Sequence, residues 1–432
     1  MLGILPGTDY SFLQQKQMAN NVLDAETIET YYICMTIQRI AELETTMKRR
    51  MASLPIRFRP FVRHRDTLPR TFMLTGPRGA GKTTYLLHHA QRLLETKQER
   101  ILYLSADNPT LGNEGLYGIA ASIFLAGYSG IIIDEVHFAK DWSIHLKALY
   151  DDFPNHSLWI SDSSSLCLRM GTGDLSRRFV HIDMPLLSFR EFLYLETGTE
   201  YAVYNPFNPS EKLPLQPSPS VLSAFRTYRS TGTRPFYSEG DFNDRMLSIL
   251  DKTLYSDIPF FLPSISDGNL RLMKAVTGTL TNTSIPRLQV RSLCTDWAIG
   301  AEKLYQLLEV MQSVDLLRII RKEHDTKAKT AGEKLFFSDP AFYTVLGGDL
   351  GNAREALVAM LCSYGGYVVE TTKDETTGDF VLSKSAGDTI SHVKIEVGGS
   401  SKSPKKADFV IRDDTDYPGG KNIPLWLLGM MY

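Results

Sequence analysis

The chain has 432 residues, too many for one ordinary domain, so several are expected. Hydrophobic residues make up 43 %, which provides material for true cores and excludes bulk disorder. The net charge of −2 excludes a protein that coats nucleic acid through overall basicity, so any such binding must be local.

Cys34, Cys167, Cys294 and Cys362 are scattered and form no CxxC pair, which argues against a zinc site or a disulfide framework. The first residues lack the basic and apolar regions of a signal peptide. From Gly115 to Ile133 no charged residue occurs over 19 positions, close to a membrane-spanning length. Gly127 and Gly130 divide this stretch into a helix-like part and a β-branched part, so we expect no membrane segment and a cytoplasmic protein.

Residues 1–60 read as a helical segment, with apolar spacing over Ile33–Ile40, followed by a basic linker. Between Lys48 and Arg70 eight Lys or Arg face one Asp, a solvated linker or a phosphate-contacting arm. Residues 61–204 alternate strand and helix patterns, the mark of an α/β domain. Its expected strands are Phe72–Leu74, Ile101–Leu104, Gly130–Ile133 and Leu158–Ile160. Residues 205–280 open with a proline-rich linker and continue as helices. Residues 281–345 fit a small helical or winged-helix segment, and 346–432 a helix around Glu355–Leu361 followed by several strands.

Gly76-Pro77-Arg78-Gly79-Ala80-Gly81-Lys82-Thr83 fits GxxxxGK[ST] without a mismatch, between an expected strand and an expected helix. Glycines allow backbone amides to close around phosphates, and the helix N-terminus adds a favourable field for an anion. Gly76 through Thr84 are therefore the candidate ATP-binding residues. In this reading Lys82 reaches the β- and γ-phosphates and the Thr83 hydroxyl ligates Mg²⁺. An apolar strand then delivers Asp134 to the same cation and Glu135 to the attacking water, 52 residues after Lys82. Ser163 and Ser164, after the fourth strand, are candidates to sense the γ-phosphate. Arg177 and Arg178 are candidate arginine fingers, within the chain or across an oligomer contact, or members of structural ion pairs. His88 and His89 read as packing or surface residues.

These motifs occur in order with "YLSADNP" at Tyr103–Pro109, "DLSRR" at Asp174–Arg178, "LSFREFL" at Leu187–Leu193 and "IPLWLLGMMY" at Ile423–Tyr432. Together they resemble the bacterial and archaeal AAA-type ATPases that carry a C-terminal domain of unknown function, most of all the group common in Bacteroidetes. The resemblance spans about residues 70 to 432. It implies an AAA-like P-loop core, a helical lid, a winged-helix segment and a small C-terminal α/β domain similar to restriction endonucleases. The family usually has Thr-Gly-Ser-Ser after the fourth strand, whereas this chain has Ser161-Asp162-Ser163-Ser164. An extra carboxylate near the γ-phosphate would slow hydrolysis by repulsion. In the nuclease-like comparison Glu355, Asp379, Glu396 and Lys402 form the candidate divalent-metal site, although Ser400 and Ser401 separate the lysine from the glycines it usually follows.

Three functions are compatible with this pattern: an ATP-driven switch acting on a protein partner, an ATP-regulated DNA-binding or nuclease protein, and a non-hydrolysing module held together by ATP. Asp134-Glu135-Val136-His137 also resembles a DExH helicase box, but no partner helicase motif is evident.

Overall fold

The computed structural model describes residues 25–59, 68–108, 115–163, 175–208, 212–262, 265–284, 286–287, 289–327, 330, 332–373, 377–386, 389–399 and 406–432. They fall into two compact units. The first draws on Met1–Thr75, Lys82–Asp162 and Cys167–Asp183, the second on Gly76–Gly81, Ser163–Leu166 and Met184–Tyr432.

The first unit is built on five strands: β1 (Thr71–Thr75), β2 (Ile101–Ser105), β3 (Gly130–Asp134), β4 (Ser157–Ser161) and β5 (Val180–Asp183). Their order is β2-β3-β4-β1-β5, and every neighbouring pair is parallel. A parallel sheet covered on both faces reads as continuous apolar runs rather than alternation. Ile131, Ile132 and Ile133 are fully buried for this reason. The helices are α1 (Ala25–Ala52), α2 (Lys82–Lys97), α3 (Leu116–Leu125) and α4 (Trp142–Asp152). The uncharged run from Gly115 thus splits at Gly127 into α3 and β3, as its glycines require. No described helix is long and apolar enough to cross a membrane. His89 on α2 is buried with its ring edge-on to Trp159 of β4, and His88 stacks on Phe58, so both histidines are packing residues.

The second unit is mostly helical up to residue 313. It contains α5 (Phe189–Thr197), α6 (Pro219–Thr231) and α7 (Phe242–Lys252). A π turn, Thr253–Asp257, joins α7 to the short α8 (Ile258–Phe261). Then come α9 (Asp267–Asn282), α10 (Val290–Asp296), α11 (Ala301–Ser313) and an antiparallel hairpin of β6 (Leu317–Ile320) and β7 (Lys334–Phe337). Beyond α12 (Ala341–Leu346) and α13 (Leu350–Tyr364) stands a second sheet of β8 (Val368–Glu370), β9 (Phe380–Ala386), β10 (Thr389–Val397), β11 (Phe409–Arg412) and β12 (Asn422–Pro424). Here β8, β9 and β10 pair antiparallel while β10, β11 and β12 pair parallel.

Two motifs distant in sequence meet in this unit. Ser188 and Glu191 form a capping box that starts α5. The following Arg190 donates to the Tyr432 and Tyr201 carbonyls, and its amide donates to Gly429. The last helix, α14 (Leu425–Leu428), buries all four of its side chains. A Cβ on Gly429 would stand 2.4 Å from Phe189 Cβ, so glycine is required by close approach. We predict that Gly429→Ala destabilises the second unit by about 1–3 kcal/mol through overpacking, read as a lowered thermal transition with unchanged nucleotide binding.

Candidate nucleotide site

In a parallel sheet, side chains at the carboxyl ends of neighbouring strands converge on one edge. Here that edge carries Thr75, Asp134 and Ser161. The strand order inserts β4 between β1 and β3, so Ser161 stands beside the acidic end of β3.

Asp134 is the centre of the cluster. Its Oδ2 accepts from the Thr83 hydroxyl at 2.6 Å and from the Tyr103 phenol at 2.9 Å. Its Oδ1 accepts from the Ser161 hydroxyl at 2.5 Å. Asp134 is 6 % exposed, so three donated hydrogen bonds compensate a carboxylate withdrawn from water. Burial first, and then the charge of Asp134, push the Tyr103 phenol far above its ordinary value, so it stays a donor. The Arg50 guanidinium of α1 lies 4.8 Å from the Tyr103 ring centroid. Tyr103 and Ser161 carry this network, yet neither belongs to a phosphate-loop motif. In sequence Tyr103 opens the YLSADNP motif and Ser161 closes the fourth strand, and neither position announces a contact with Asp134.

Lys82 opens α2 and is buried, and Thr83 follows it. In the preceding loop Gly76, Gly79 and Gly81 have φ of 146°, 78° and 96°, which disfavour residues with a Cβ. A Cβ at Gly76 would fall 2.3 Å from the Met184 carbonyl oxygen, so the backbone approach also demands glycine. Pro77 accepts the Ala80 amide, closing the turn, and Thr84 continues α2. The loop's Arg78 points elsewhere. Its guanidinium pairs with Asp257 at 2.8 Å and donates to Ser163 at 3.1 Å.

Glu135 has a left-handed φ of 50°, rare for a residue with a long side chain. It begins the 3-10 turn Val136–Phe138. His137 in this turn is buried, with Nδ1 at 2.7 Å from Asp162 Oδ2 and 3.7 Å from Glu135 Oε2. Asp162 also accepts the His137 backbone amide at 3.2 Å. The carboxylate expected to repel a γ-phosphate is therefore turned into the protein and held by His137.

Arg178 is not brought to this edge. Its carbonyl accepts from Thr71, at the start of β1, and its guanidinium pairs with Asp151 at 3.1 Å. The sheet end beside Thr71 is opposite the end that leads into the phosphate loop. Arg178 thus makes the ion pair that was one reading of it, in the turn that enters β5 at the amino edge of the sheet. Arg177 lies exposed in the same turn. Ser164 lies outside the described residues.

The residues compared with a nuclease lie in the second unit. Glu355 on α13 and Asp379 before β9 share the Lys334 ammonium of β7, at 2.6 and 3.1 Å. This ammonium also lies 4.7 Å from the Phe380 ring centroid. Burial would lower the Lys334 pKa, but the charges of Glu355 and Asp379 outweigh it and hold it above its ordinary value. Glu396 on β10 is fully buried, and the amide of the next residue, Val397, donates to Asp379. Lys402 lies outside the described residues. The cation at this carboxylate pair thus comes from the hairpin, a segment that sequence reading assigned to a different domain.

Residues 69–193 match the profile of a family described as AAA domain. This segment is similar to AAA-type P-loop domains. An uncharacterized protein of Methanocaldococcus jannaschii is 26 % identical over 377 residues, covering 77 % of this chain and 76 % of the relative. Among solved structures, the Aeropyrum pernix ORC1 protein in complex with DNA aligns with a TM-score of 0.31 at 12 % identity, over 70 % of this chain and 91 % of that one. AMPPCP-bound DnaA from Aquifex aeolicus aligns with a TM-score of 0.26 at 12 % identity, over 61 % and 90 %. The likeness to AAA domains rests on the family match, the phosphate loop and the parallel sheet.

Removing the Lys334 ammonium would leave two partly buried carboxylates facing each other. We predict that Lys334→Ala destabilises the second unit by about 3–5 kcal/mol. Chemical denaturation checks this, and adding Glu355→Gln should cost less than the sum of the two single changes.

Proposed function

We propose that the chain is a Mg²⁺-dependent ATPase whose nucleotide state is relayed to its helical unit, as a switch acting on a protein partner. The observation that carries the ATPase reading is the Thr83–Asp134 hydrogen bond at the mouth of the glycine-bearing loop. A hydroxyl and a carboxylate 2.6 Å apart are the two protein ligands that a magnesium nucleotide requires. The loop amides and the amino end of α2 offer the field that phosphates need. The residues present therefore fit this cofactor.

When bound, the magnesium nucleotide supplies the γ-phosphoryl group and the cation that neutralises its charge. Lys82 would bind the β- and γ-phosphate oxygens. Thr83 and Asp134 would hold the cation, with Tyr103 and Ser161 fixing the carboxylate that does so. Glu135 would orient a water and accept its proton. A separate feature supports the switch. Arg78, within the phosphate loop, forms a two-point contact with Asp257 of the π turn between α7 and α8, and Asp257 is 4 % exposed. π turns recur at functional sites. Helices α10 and α11 and the β6–β7 hairpin support the winged-helix reading of residues 281–345. A winged helix and the basic stretch from Lys48 to Arg70 would admit DNA as the partner instead.

Phosphate release with Mg-ATP, measured with and without duplex DNA, tests this proposal. Lys82→Ala should lose nucleotide binding, and Glu135→Gln should keep binding while losing at least about a hundredfold in turnover. Stimulation by DNA would move the partner from protein to nucleic acid. Tight binding with no turnover in the native chain would leave an ATP-held module. The relay has its own readout. Protease sensitivity should differ between ADP and ATP, and Asp257→Asn should shrink that difference while leaving ATP affinity within about threefold.

A further inference from the structure

We infer that His137 and Asp162 are positioning residues that hold the Glu135 carboxylate for attack on the nucleotide. The inference rests on the ATPase reading above and adds to it a part that the phosphate-loop motifs do not contain.

The argument begins with the backbone. Glu135 is the last residue before a 3-10 turn and sits at φ 50°. A side chain leaving a left-handed residue is carried off the strand direction, so its aim depends on what anchors the turn. The turn is anchored by Asp162, which accepts both the backbone amide and the ring Nδ1 of His137. Two bonds from one carboxylate fix the position of the turn and the plane of the ring together. Asp162 is fully buried and His137 is 2 % exposed, so water cannot substitute for either bond. Asp162 itself is tied to the sheet, because its amide donates to the Leu74 carbonyl of β1, the strand that leads into the phosphate loop.

The ring assignment follows from these contacts. Nδ1 lies at hydrogen-bond distance from an acidic oxygen, so it carries the proton and donates to Asp162. The same N–H edge faces Glu135 Oε2 at 3.7 Å, which is electrostatic attraction rather than a hydrogen bond. Glu135 is thus drawn toward a donor that is already engaged. The Asp162–His137 dyad orients an acidic partner, and neither member touches the reacting atoms.

This arrangement gives Asp162 a purpose opposite to repulsion of phosphate. Its charge is spent on His137, inside the protein.

Steady-state turnover and equilibrium binding of a fluorescent ATP analogue, measured on the full chain, test the inference. Asp162→Ala and His137→Ala should lower kcat about ten- to hundredfold, the loss expected for a misplaced catalytic group, with nucleotide Kd within about threefold of the native chain. Asp162→Asn keeps an acceptor for the amide and the ring, and should retain most of the rate. His137→Asn keeps a donor near the Nδ1 position and should do the same. In a Glu135→Gln background, Asp162→Ala should lower the residual rate no further, because the residue acts only through Glu135. Melting curves identify any variant that fails to fold, and the two asparagine variants then carry the test.

The inference is overturned if Asp162→Ala turns over like the native chain while Glu135→Gln does not. It is also overturned if kcat falls and Kd rises together, or if the asparagine variants are as impaired as the alanine ones. A native chain with no turnover at all overturns the ATPase reading, and the inference with it. The Glu135→Gln control separates these cases.

Discussion

The carboxylate of Asp134 is the constraint on which the first unit's site depends. It is withdrawn from water at the end of an all-buried strand, and such a group is stable only where its lone pairs are used. Three hydroxyls use them, from Thr83 at the start of α2, Tyr103 on β2 and Ser161 on β4. These three elements are therefore tied to the end of β3 at one point. The phosphate-loop helix cannot move far from the acidic strand without stranding a buried charge. The cluster is thus assembled in the register set by the parallel sheet.

A second principle recurs in both units: buried charge is compensated by a partner from a distant part of the chain. His137 meets Asp162 beside the site. In the second unit, Arg234 meets Asp339 at 2.7 Å, and Lys334 meets Glu355 and Asp379. Each pair holds together segments that local propensity would leave independent. Such pairs contribute less to net stability than to fixing one arrangement, because breaking them leaves an uncompensated buried charge. Arg78 applies the same chemistry to the phosphate loop, which it ties to Asp257 of the π turn between α7 and α8.

The acidic residues compared with a nuclease show what such compensation does to a site. Glu355 and Asp379 converge as that comparison requires, but an ammonium already stands between them. It arrives from a hairpin strand read as part of another domain. Composition and linker signals cut the chain where glycine and proline accumulate, and they carry no information about which side chains cross the cut.

The sequence by itself determined the phosphate loop, the acidic strand end and the alternating strand and helix pattern of the first unit. Those features are local: GxxxxGK[ST] must bend where its glycines stand, and three consecutive isoleucines fit a strand buried on both faces. It also determined that the uncharged run from Gly115 breaks into a helix and a strand, since glycine interrupts both. Only the tertiary structure decided the strand order, which puts β4 between β1 and β3 and so brings Ser161 to Asp134. It decided that Asp162 faces His137 rather than phosphate, and that Arg178 stands at the far edge of the sheet. Short strands such as β5, β6 and β12 were equally silent in sequence, because four residues or fewer give too few alternations to read. Motifs report the conformation of a few neighbouring residues. Contacts between strand ends depend on how separate segments are ordered in space, and one chain's sequence does not print that order.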